Sequence, residues 1–213
     1  VEHGYRVGGA VTYGAKTANQ LGLITGAVTS TSDVADIEEV MPEVAIRVAP
    51  SRLTTTFRNI YKDSSRLQVI EGVASPITFS DVPMKWRDSP LVFFGPLVGE
   101  VSADLVKSFQ SSTTLVSLQG WLREWGDDGI VVPKAWEGND LLPYVDIAVC
   151  SVEDFDTYEL VDVWKDMTSI LVLTKADKGA DLHFDGSWHE VPGYTTVESD
   201  PTGAGDVFAA AFL

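Results

Sequence analysis

Apolar positions at the start of the sequence follow a helical spacing and then a continuous run. Small and apolar residues recur every three to four positions over residues 11–21, directly after Gly8-Gly9, which predicts a helix with Gly22 as its C-cap. The apolar run over residues 23–29 predicts a buried strand. The first two predicted elements are therefore a helix and a strand.

Residues 43–79 show a different pattern, in which apolar residues alternate with polar or β-branched ones. A period of two predicts short strands with one exposed face. Turn signals at Pro50-Ser51 and at residues 62–65 separate these strands. We interpret residues 43–79 as a small β lid that projects from the main domain. An edge extension of the main sheet is the alternative.

From residue 90 onward, short apolar strands alternate with helical segments. The strands are L-V-F-F-G, T-L-V-S-L, D-I-A-V-C-S and I-L-V-L-T, and helices are predicted over 103–109 and 157–165. This order predicts a mostly parallel sheet with helices on both faces and ligands beyond the carboxyl ends of its strands. A hairpin is expected around Asp185-Gly186. The fold class is therefore α/β, with residues 1–42 and 80–213 in one domain.

Composition and charge narrow the range of functions. The 213 residues are 45% hydrophobic and carry a formal net charge of −16, which disfavours binding to nucleic acid. An anionic ligand would need local backbone N–H groups, a helix N-terminus or a metal. Cys150 is the single cysteine, so neither an intrachain disulfide nor a cysteine cluster can form. With no apolar run of membrane-spanning length and no signal-peptide pattern, we expect a cytoplasmic protein without membrane contact.

The segment D-P-T-G-A-G-D, residues 200–206, is the most informative motif. Pro201 interrupts regular structure, and residues 207–213 favour a helix. Gly203, Ala204 and Gly205 are therefore expected to form a turn whose N–H groups converge at a helix N-terminus, as an anion hole for a phosphoryl group. Asp206 lies in the first turn, where its carboxylate could accept a hydroxyl proton.

Spacing alone leaves other interpretations of this motif open. Asp206 could simply complement the helix dipole at a glycine-rich helix start. A dinucleotide-binding fingerprint is disfavoured because Phe208 occupies the third glycine position, and a nicotinamide-dependent enzyme is accordingly not expected. No G-x-x-x-x-G-K-[ST] sequence is present, which excludes a P-loop NTPase.

The motif closely resembles the D-T-x-G-A-G-D-type motif of the ribokinase-like (PfkB) carbohydrate kinases. Gly8-Gly9 is similar to the Gly-Gly near the sugar site of that family. The segment from Thr174 to Gly179, after the strand I-L-V-L, is similar to its phosphate loop, although Ala176 replaces a usual glycine. The resemblance extends over essentially the whole chain, and residues 43–79 fall where the family has its substrate lid.

The resemblance implies a role for each matching residue. Asp206 would be the base, Gly203, Ala204 and Gly205 the anion hole, and Gly8 and Gly9 a close approach for the sugar. The nucleotide-binding residues would be Ser151, Thr174, Lys175, Ala176 and Gly179. Asp200 and Thr202 fall where many members bind a monovalent cation such as K⁺. The implied activity is transfer of the γ-phosphoryl group of ATP, with Mg²⁺, to a hydroxyl of a sugar or polyol.

Two departures from the family pattern affect the substrate and the metal. Tyr13 stands where a sugar-binding asparagine is usual, and S-V-E-D at residues 151–154 replaces the usual N-x-x-E. These features resemble the myo-inositol kinase-like branch and favour an inositol-like polyol. Asp154, or alternatively Glu153, would belong to the Mg²⁺ site, unless both are solvated residues at a helix start.

Several alternatives stay open at this point. A nucleoside kinase of the same family and a non-catalytic, kinase-like binding protein are the rival hypotheses. The lids of the family can pair across a dimer, so a homodimer through the lid is a further hypothesis. Family members begin with a strand before Gly-Gly and continue beyond the helix of the catalytic aspartate. The sequence is therefore expected to be a piece of a longer kinase.

Overall fold

A computed structural model describes residues 6–33, 35–62, 65–155, 157–197 and 200–213. The helices are α1 (Gly9–Gln20), α2 (Ala35–Val40), α3 (Ala103–Lys107), α4 (Glu159–Trp164) and α5 (Ala204–Phe212). The strands are β1 (Gly26–Thr31), β2 (Ala45–Pro50), β3 (Thr56–Lys62), β4 (Ser65–Gly72), β5 (Leu91–Phe94), β6 (Thr113–Ser117), β7 (Arg123–Trp125), β8 (Val131–Pro133), β9 (Ile147–Ser151), β10 (Ile170–Thr174), β11 (Gly179–Phe184) and β12 (Ser187–Pro192).

A six-stranded sheet forms the centre of the molecule, in the order β12-β11-β10-β9-β6-β5. The strands β5, β6, β9 and β10 are parallel, whereas β11 and β12 continue the sheet as an antiparallel hairpin. This confirms the predicted α/β fold with a mostly parallel sheet. The hairpin turns at Asp185 and Gly186, both at positive φ, as the sequence predicted.

Two smaller sheets are separate from the central sheet. The strands β1 and β2 pair in parallel, with Gly26 opposite Ala45. β2 lies within the predicted lid, residues 43–79, but pairs with β1, because an alternating pattern indicates an exposed face and not a partner strand. The antiparallel pair β3–β4 is the part of residues 43–79 that forms a separate ribbon. We keep the name lid for β3 and β4.

A short hairpin, β7–β8, connects the central sheet to the lid. Its turn bonds to β4, since the Ile70 N–H donates to the Gly129 carbonyl oxygen at 2.8 Å and Val69 forms a bridge with Ile130. At its other end, the Lys134 N–H donates to the carbonyl oxygen of the buried Leu122 at 2.8 Å. The lid is therefore tied to the core through this hairpin.

The main core fills the space between the central sheet, α3 and α4. Val116 of β6 and Leu171 of β10 are fully buried in this core, as is Trp164 of α4, whose Nε1–H donates to the Trp136 carbonyl oxygen at 3.2 Å. On the other face, α1 and α5 pack together, and Gly14 of α1 brings that helix close to Phe93 and Ala210. Among the described helices, none combines the length and apolar character of a membrane span.

Candidate active site

One large cavity, with a volume of about 2950 Å³, lies beyond the carboxyl ends of the parallel strands. It exceeds the roughly 300–1,000 Å³ of a typical pocket for one small ligand. Of the site residues predicted from the sequence, all except Lys175 line it. These residues come from α1, from the ends of β9 and β10, and from the start of α5. The fold therefore brings distant segments of the sequence to one place.

The start of α5 has the geometry that its glycines predict. Gly203 is the N-cap residue in the left-handed conformation, with φ 82° and ψ 1°. The Ala204 N–H donates to the Pro201 carbonyl oxygen at 3.1 Å, and the Val207 N–H donates to the Gly203 carbonyl oxygen at 2.9 Å. N–H groups in the first turn of a helix have no partner within the helix and can bind an anion.

Tyr13 of α1 packs directly on this turn. A Cβ atom at Gly203 would overlap the Tyr13 ring, and a Cβ at Gly8 would lie 3.7 Å from its hydroxyl oxygen. The ring therefore lies between the predicted sugar-binding glycine and the predicted anion hole. Gly9 has φ 76°, and a Cβ atom at this position would lie 3.2 Å from the Leu97 side chain.

Asp206 is half-buried in the first turn of α5. Burial raises the pKa of its carboxyl group to about 6, while the positive charge of Arg123 acts in the opposite direction. A carboxylate with a raised pKa is a stronger base than a solvated one and is still ionised at neutral pH. This is the electrostatic state that a general base requires.

The loop after β10 is a tight turn in which Ala176 and Gly179 have positive φ. Ala176 has φ 52°, so the residue that replaces a usual glycine still adopts a glycine-like conformation. At Gly179, φ is 96° and any Cβ atom would overlap the Val191 carbonyl oxygen. The Lys175 N–H donates to the Gly179 carbonyl oxygen at 2.7 Å and closes the turn.

The side chain of Lys175 points to the β11–β12 hairpin. Its Nζ lies 2.6 Å from an Asp181 carboxylate oxygen and 3.3 Å from one of Glu190. The hydrogen bond that Lys175 donates to Asp181 is the main reason that the pKa of Lys175 is raised. The lysine is thus paired with two carboxylates in this structure, and a role in donor binding stays a prediction.

Two acidic residues follow β9 at the edge of the cavity. Asp154 accepts the Ser151 N–H at 2.9 Å and the Gln119 side-chain amide at 3.3 Å, which fixes its carboxylate. Glu153 is exposed and also lines the cavity. No group of three or more His, Cys, Asp or Glu side chains converges to hold a metal within the described part of the chain.

The predicted monovalent-cation residues are joined to each other. The Thr202 N–H donates to Asp200 at 3.0 Å, and Arg6 forms an ion pair with the same carboxylate at 3.1 Å. The hydrogen bonds from Thr202, followed by the charge of Arg6, lower the pKa of Asp200. A cationic group therefore already neutralises Asp200 in this structure.

Arg123 is a cavity residue that the sequence analysis did not select. It is the first residue of β7, six positions after β6 ends at Ser117. The overlooked signal was its position shortly after the carboxyl end of a parallel strand, where ligand-binding side chains gather.

Comparisons with known proteins identify the fold. No protein-family model matches the sequence, and no curated protein does. Among solved structures, the chain is similar to a pyrophosphate-dependent kinase in the ribokinase family complexed with a pyrophosphate analogue and myo-inositol, with 25% identity and a TM-score of 0.81. That match covers 96% of this chain and 77% of the other.

Two further structures extend this comparison. One is a pyrophosphate-dependent myo-inositol-1 kinase converted by mutation into a myo-inositol-3 kinase, with 24% identity, a TM-score of 0.80, and coverage of 100% of this chain and 78% of that one. The other is a ribokinase-type protein from E. coli in complex with ATP and Mg²⁺, with 14% identity, a TM-score of 0.67, and coverage of 100% and 78%. This chain therefore has the ribokinase-like (PfkB) fold, in the form found in the inositol kinase-like branch.

Proposed function

We propose that the protein is a kinase that transfers a phosphoryl group to a hydroxyl of an inositol-like polyol or sugar. The observation that carries the proposal is the pairing of Asp206 with the glycine-capped start of α5. There, a base with a pKa near 6 faces the same cavity as an anion-binding helix end. The myo-inositol bound to the similar kinase supports a polyol as acceptor.

In the proposed reaction, the Asp206 carboxylate accepts the proton of the acceptor hydroxyl. The hydroxyl oxygen forms a bond to the terminal phosphorus as the bond from that phosphorus to the bridging oxygen breaks, and the remaining phosphate leaves with the electron pair. N–H groups at the start of α5 stabilise the negative charge on the transferring group. The Tyr13 ring covers one side of this site.

For the donor, our first candidate is ATP, bound along Thr174, Ala176, Gly179 and Ser151, with Lys175 nearby. Inorganic pyrophosphate is the second candidate, because two of the similar kinases are described as pyrophosphate-dependent. Both donors end in the same diphosphate group, so the site chemistry at the transferred phosphorus is shared. The two donors differ in that ATP carries a nucleoside, which the cavity would also have to bind.

Glu153 and Asp154 fit a magnesium ion that is held mainly through the donor. Mg²⁺ usually keeps several waters and binds one or two carboxylates together with substrate phosphates, so a larger acidic cluster is not needed. The ion would neutralise phosphate charge when bound. Asp200 and Thr202 are the proposed residues for a monovalent cation, which would have to compete with Arg6.

The deciding experiment measures acceptor phosphorylation with each donor separately. We expect the purified chain to phosphorylate myo-inositol or a related polyol, detected by ³¹P NMR, with either ATP or pyrophosphate. The variant Asp206→Asn should bind the acceptor but turn over at least about 100-fold more slowly. Phosphorylation of adenosine instead would favour the nucleoside kinase, and acceptor binding without turnover by either donor would favour the non-catalytic alternative.

The proposal includes a homodimer through the lid and a cytoplasmic setting. Ile60 and Leu67 are partners across β3 and β4 and expose an apolar surface, with 37% and 41% of their areas accessible. Such a pair could pack against its copy in a second chain. Sedimentation of the chain and of an Ile60→Lys variant tests this, since the variant should be monomeric if the surface is the interface.

A further inference from the structure

Arg123 has a backbone position fixed by the core of the protein. The preceding residue, Leu122, is fully buried, and Trp121 stacks on Trp136 with ring centroids 5.8 Å apart. Arg123 itself is half-buried and lies opposite Pro133 in the β7–β8 hairpin. Its side chain therefore starts from a rigid point at the edge of the cavity.

The same hairpin is bonded to the lid. The hydrogen bond from Ile70 to Gly129 and the bridge between Val69 and Ile130 attach β4 to its turn. A Cβ atom at Gly129 would lie 2.7 Å from the Ile70 carbonyl oxygen, so glycine allows this approach. The position of the lid and the position of Arg123 are consequently linked through one short element.

The Arg123 side chain contacts the lid and acts on the base. Its guanidinium carbon lies 5.8 Å from the centroid of the Phe57 ring on β3, within the range of a cation–π interaction. Arg123, Phe57 and Asp206 all line the same cavity. The charge of Arg123 favours the ionised form of Asp206, against the effect of burial.

Other charged or titratable groups also line this cavity. They are Arg6, Tyr13, Asp33, Arg58, Glu71, Lys85, Glu100, Cys150, Glu153, Asp154, Asp177, Tyr194 and Asp200. Arg6 and Asp200 neutralise each other, and Asp154 is bonded to Ser151 and Gln119. Among the described groups, Arg123 is the one whose charge changes the proton affinity of Asp206.

We propose that Arg123 is a positioning residue that links the lid to the base: held by Phe57, its guanidinium stabilises the Asp206 carboxylate at the acceptor site. This inference rests on the proposed function, in which Asp206 accepts the acceptor proton. Its consequence is that the base is ionised most readily when the lid holds Arg123 over the cavity. An acceptor that orders the lid would thereby also keep Asp206 ionised to a lower pH.

The test compares Arg123→Gln, Arg123→Lys and Phe57→Leu with the unchanged chain. Carbon-13 NMR of labelled aspartate, with the Asp206 signal assigned through Asp206→Asn, follows the carboxyl titration without any need for turnover. We expect Arg123→Gln to raise the pKa of Asp206 by about half a unit to one unit, and Phe57→Leu to raise it less. Arg123→Lys keeps a positive charge, so its Asp206 pKa should stay close to that of the unchanged chain.

Activity with myo-inositol and the active donor provides the second measurement. The acid limb of the kcat profile should shift by the same amount as the Asp206 pKa measured by NMR. Relative to the unchanged chain, turnover of Arg123→Gln should therefore be reduced about two- to fivefold more at pH 6 than at pH 8. Arg87→Gln is the matched control, because Arg87 also lies over a phenylalanine ring, that of Phe79 at 4.4 Å, but does not line the cavity.

Each outcome decides between the inference and the proposed function. A raised Asp206 pKa in a chain without kinase activity supports the inference about the charge and overturns the proposed function. Kinase activity with an unchanged Asp206 pKa and an unchanged acid limb in Arg123→Gln overturns the inference alone. An equal shift in Arg87→Gln also overturns it. If Arg123→Gln fails to fold, the Phe57→Leu variant decides.

Discussion

The ring of Tyr13 occupies the space into which a side chain at Gly203 would project. The two residues are 190 positions apart in sequence, and their contact joins α1 to the start of α5. Gly203 also has a left-handed backbone, which side chains rarely adopt. Both the conformation and the contact therefore require glycine at this position.

The first prediction concerns Gly203→Ala. Backbone strain alone should destabilise the fold by about 1–2 kcal/mol, and displacement of Tyr13 should lower turnover at least about tenfold. Thermal unfolding and the kinase assay measure the two effects. Gly186→Ala is the control, because Gly186 has φ 71° but open space around its Cβ position.

The control should lose similar stability and retain activity. The double variant Tyr13→Ala with Gly203→Ala should recover part of the stability lost in Gly203→Ala, because it removes the overlapping ring. If Gly203→Ala alone were as active as the unchanged chain, the contact would have no part in the site.

The second prediction is a pH-dependent stabilisation by Asp206→Asn. Because burial raises the pKa of Asp206 to about 6, the folded state binds a proton more tightly than the unfolded chain, whose aspartate has a pKa of 3.8. Ionisation of Asp206 therefore lowers the stability of the fold as pH rises through this window, by up to about 3 kcal/mol.

Asp206→Asn removes that cost. The variant should unfold at a higher temperature than the unchanged chain at pH 7.5, and the difference should vanish below about pH 3, where Asp206 is protonated in both the folded and the unfolded state. Asp104→Asn serves as control, since Asp104 is almost fully exposed and its substitution should leave the pH dependence unchanged. A stabilisation equally large below about pH 3 would mean that burial of the charge is not its cause.

The third prediction concerns the pH dependence of catalysis. If Asp206 is the base, kcat/KM should rise with pH through an apparent pKa of about 6, because only the ionised carboxylate accepts a proton. Initial rates from pH 5 to pH 8.5 at fixed ionic strength measure this limb. A profile without an ionisation between pH 5 and pH 7 would contradict the assignment.

The fourth prediction concerns the attachment of the lid. Gly129→Ala places a Cβ atom against the Ile70 carbonyl oxygen, so it should weaken the bond between the β7–β8 hairpin and β4. The acceptor KM should rise about threefold or more while the donor KM stays the same. Gly126→Ala, in the same turn but with its nearest neighbour at 3.5 Å, should change neither constant.

The sequence by itself determined the fold class and the place of the predicted base. Apolar runs indicated the parallel strands, and the glycines and proline around residue 203 indicated the start of α5, because these are local preferences of the backbone. The β11–β12 hairpin was equally evident from Asp185-Gly186. These features depend on residues that are close together in the chain.

The tertiary structure alone decided which groups act on one another. Alternation in residues 45–50 could not reveal that β2 pairs with β1, since a strand's pattern records its exposed face and not its partner. Lys175 is paired by carboxylates that β11 and β12 bring to it, and Arg123 reaches the cavity through a hairpin bonded to the lid. Burial and charge across the fold, rather than the D-P-T-G-A-G-D motif, set the pKa of Asp206, because electrostatic interactions depend on distance in space and not along the chain.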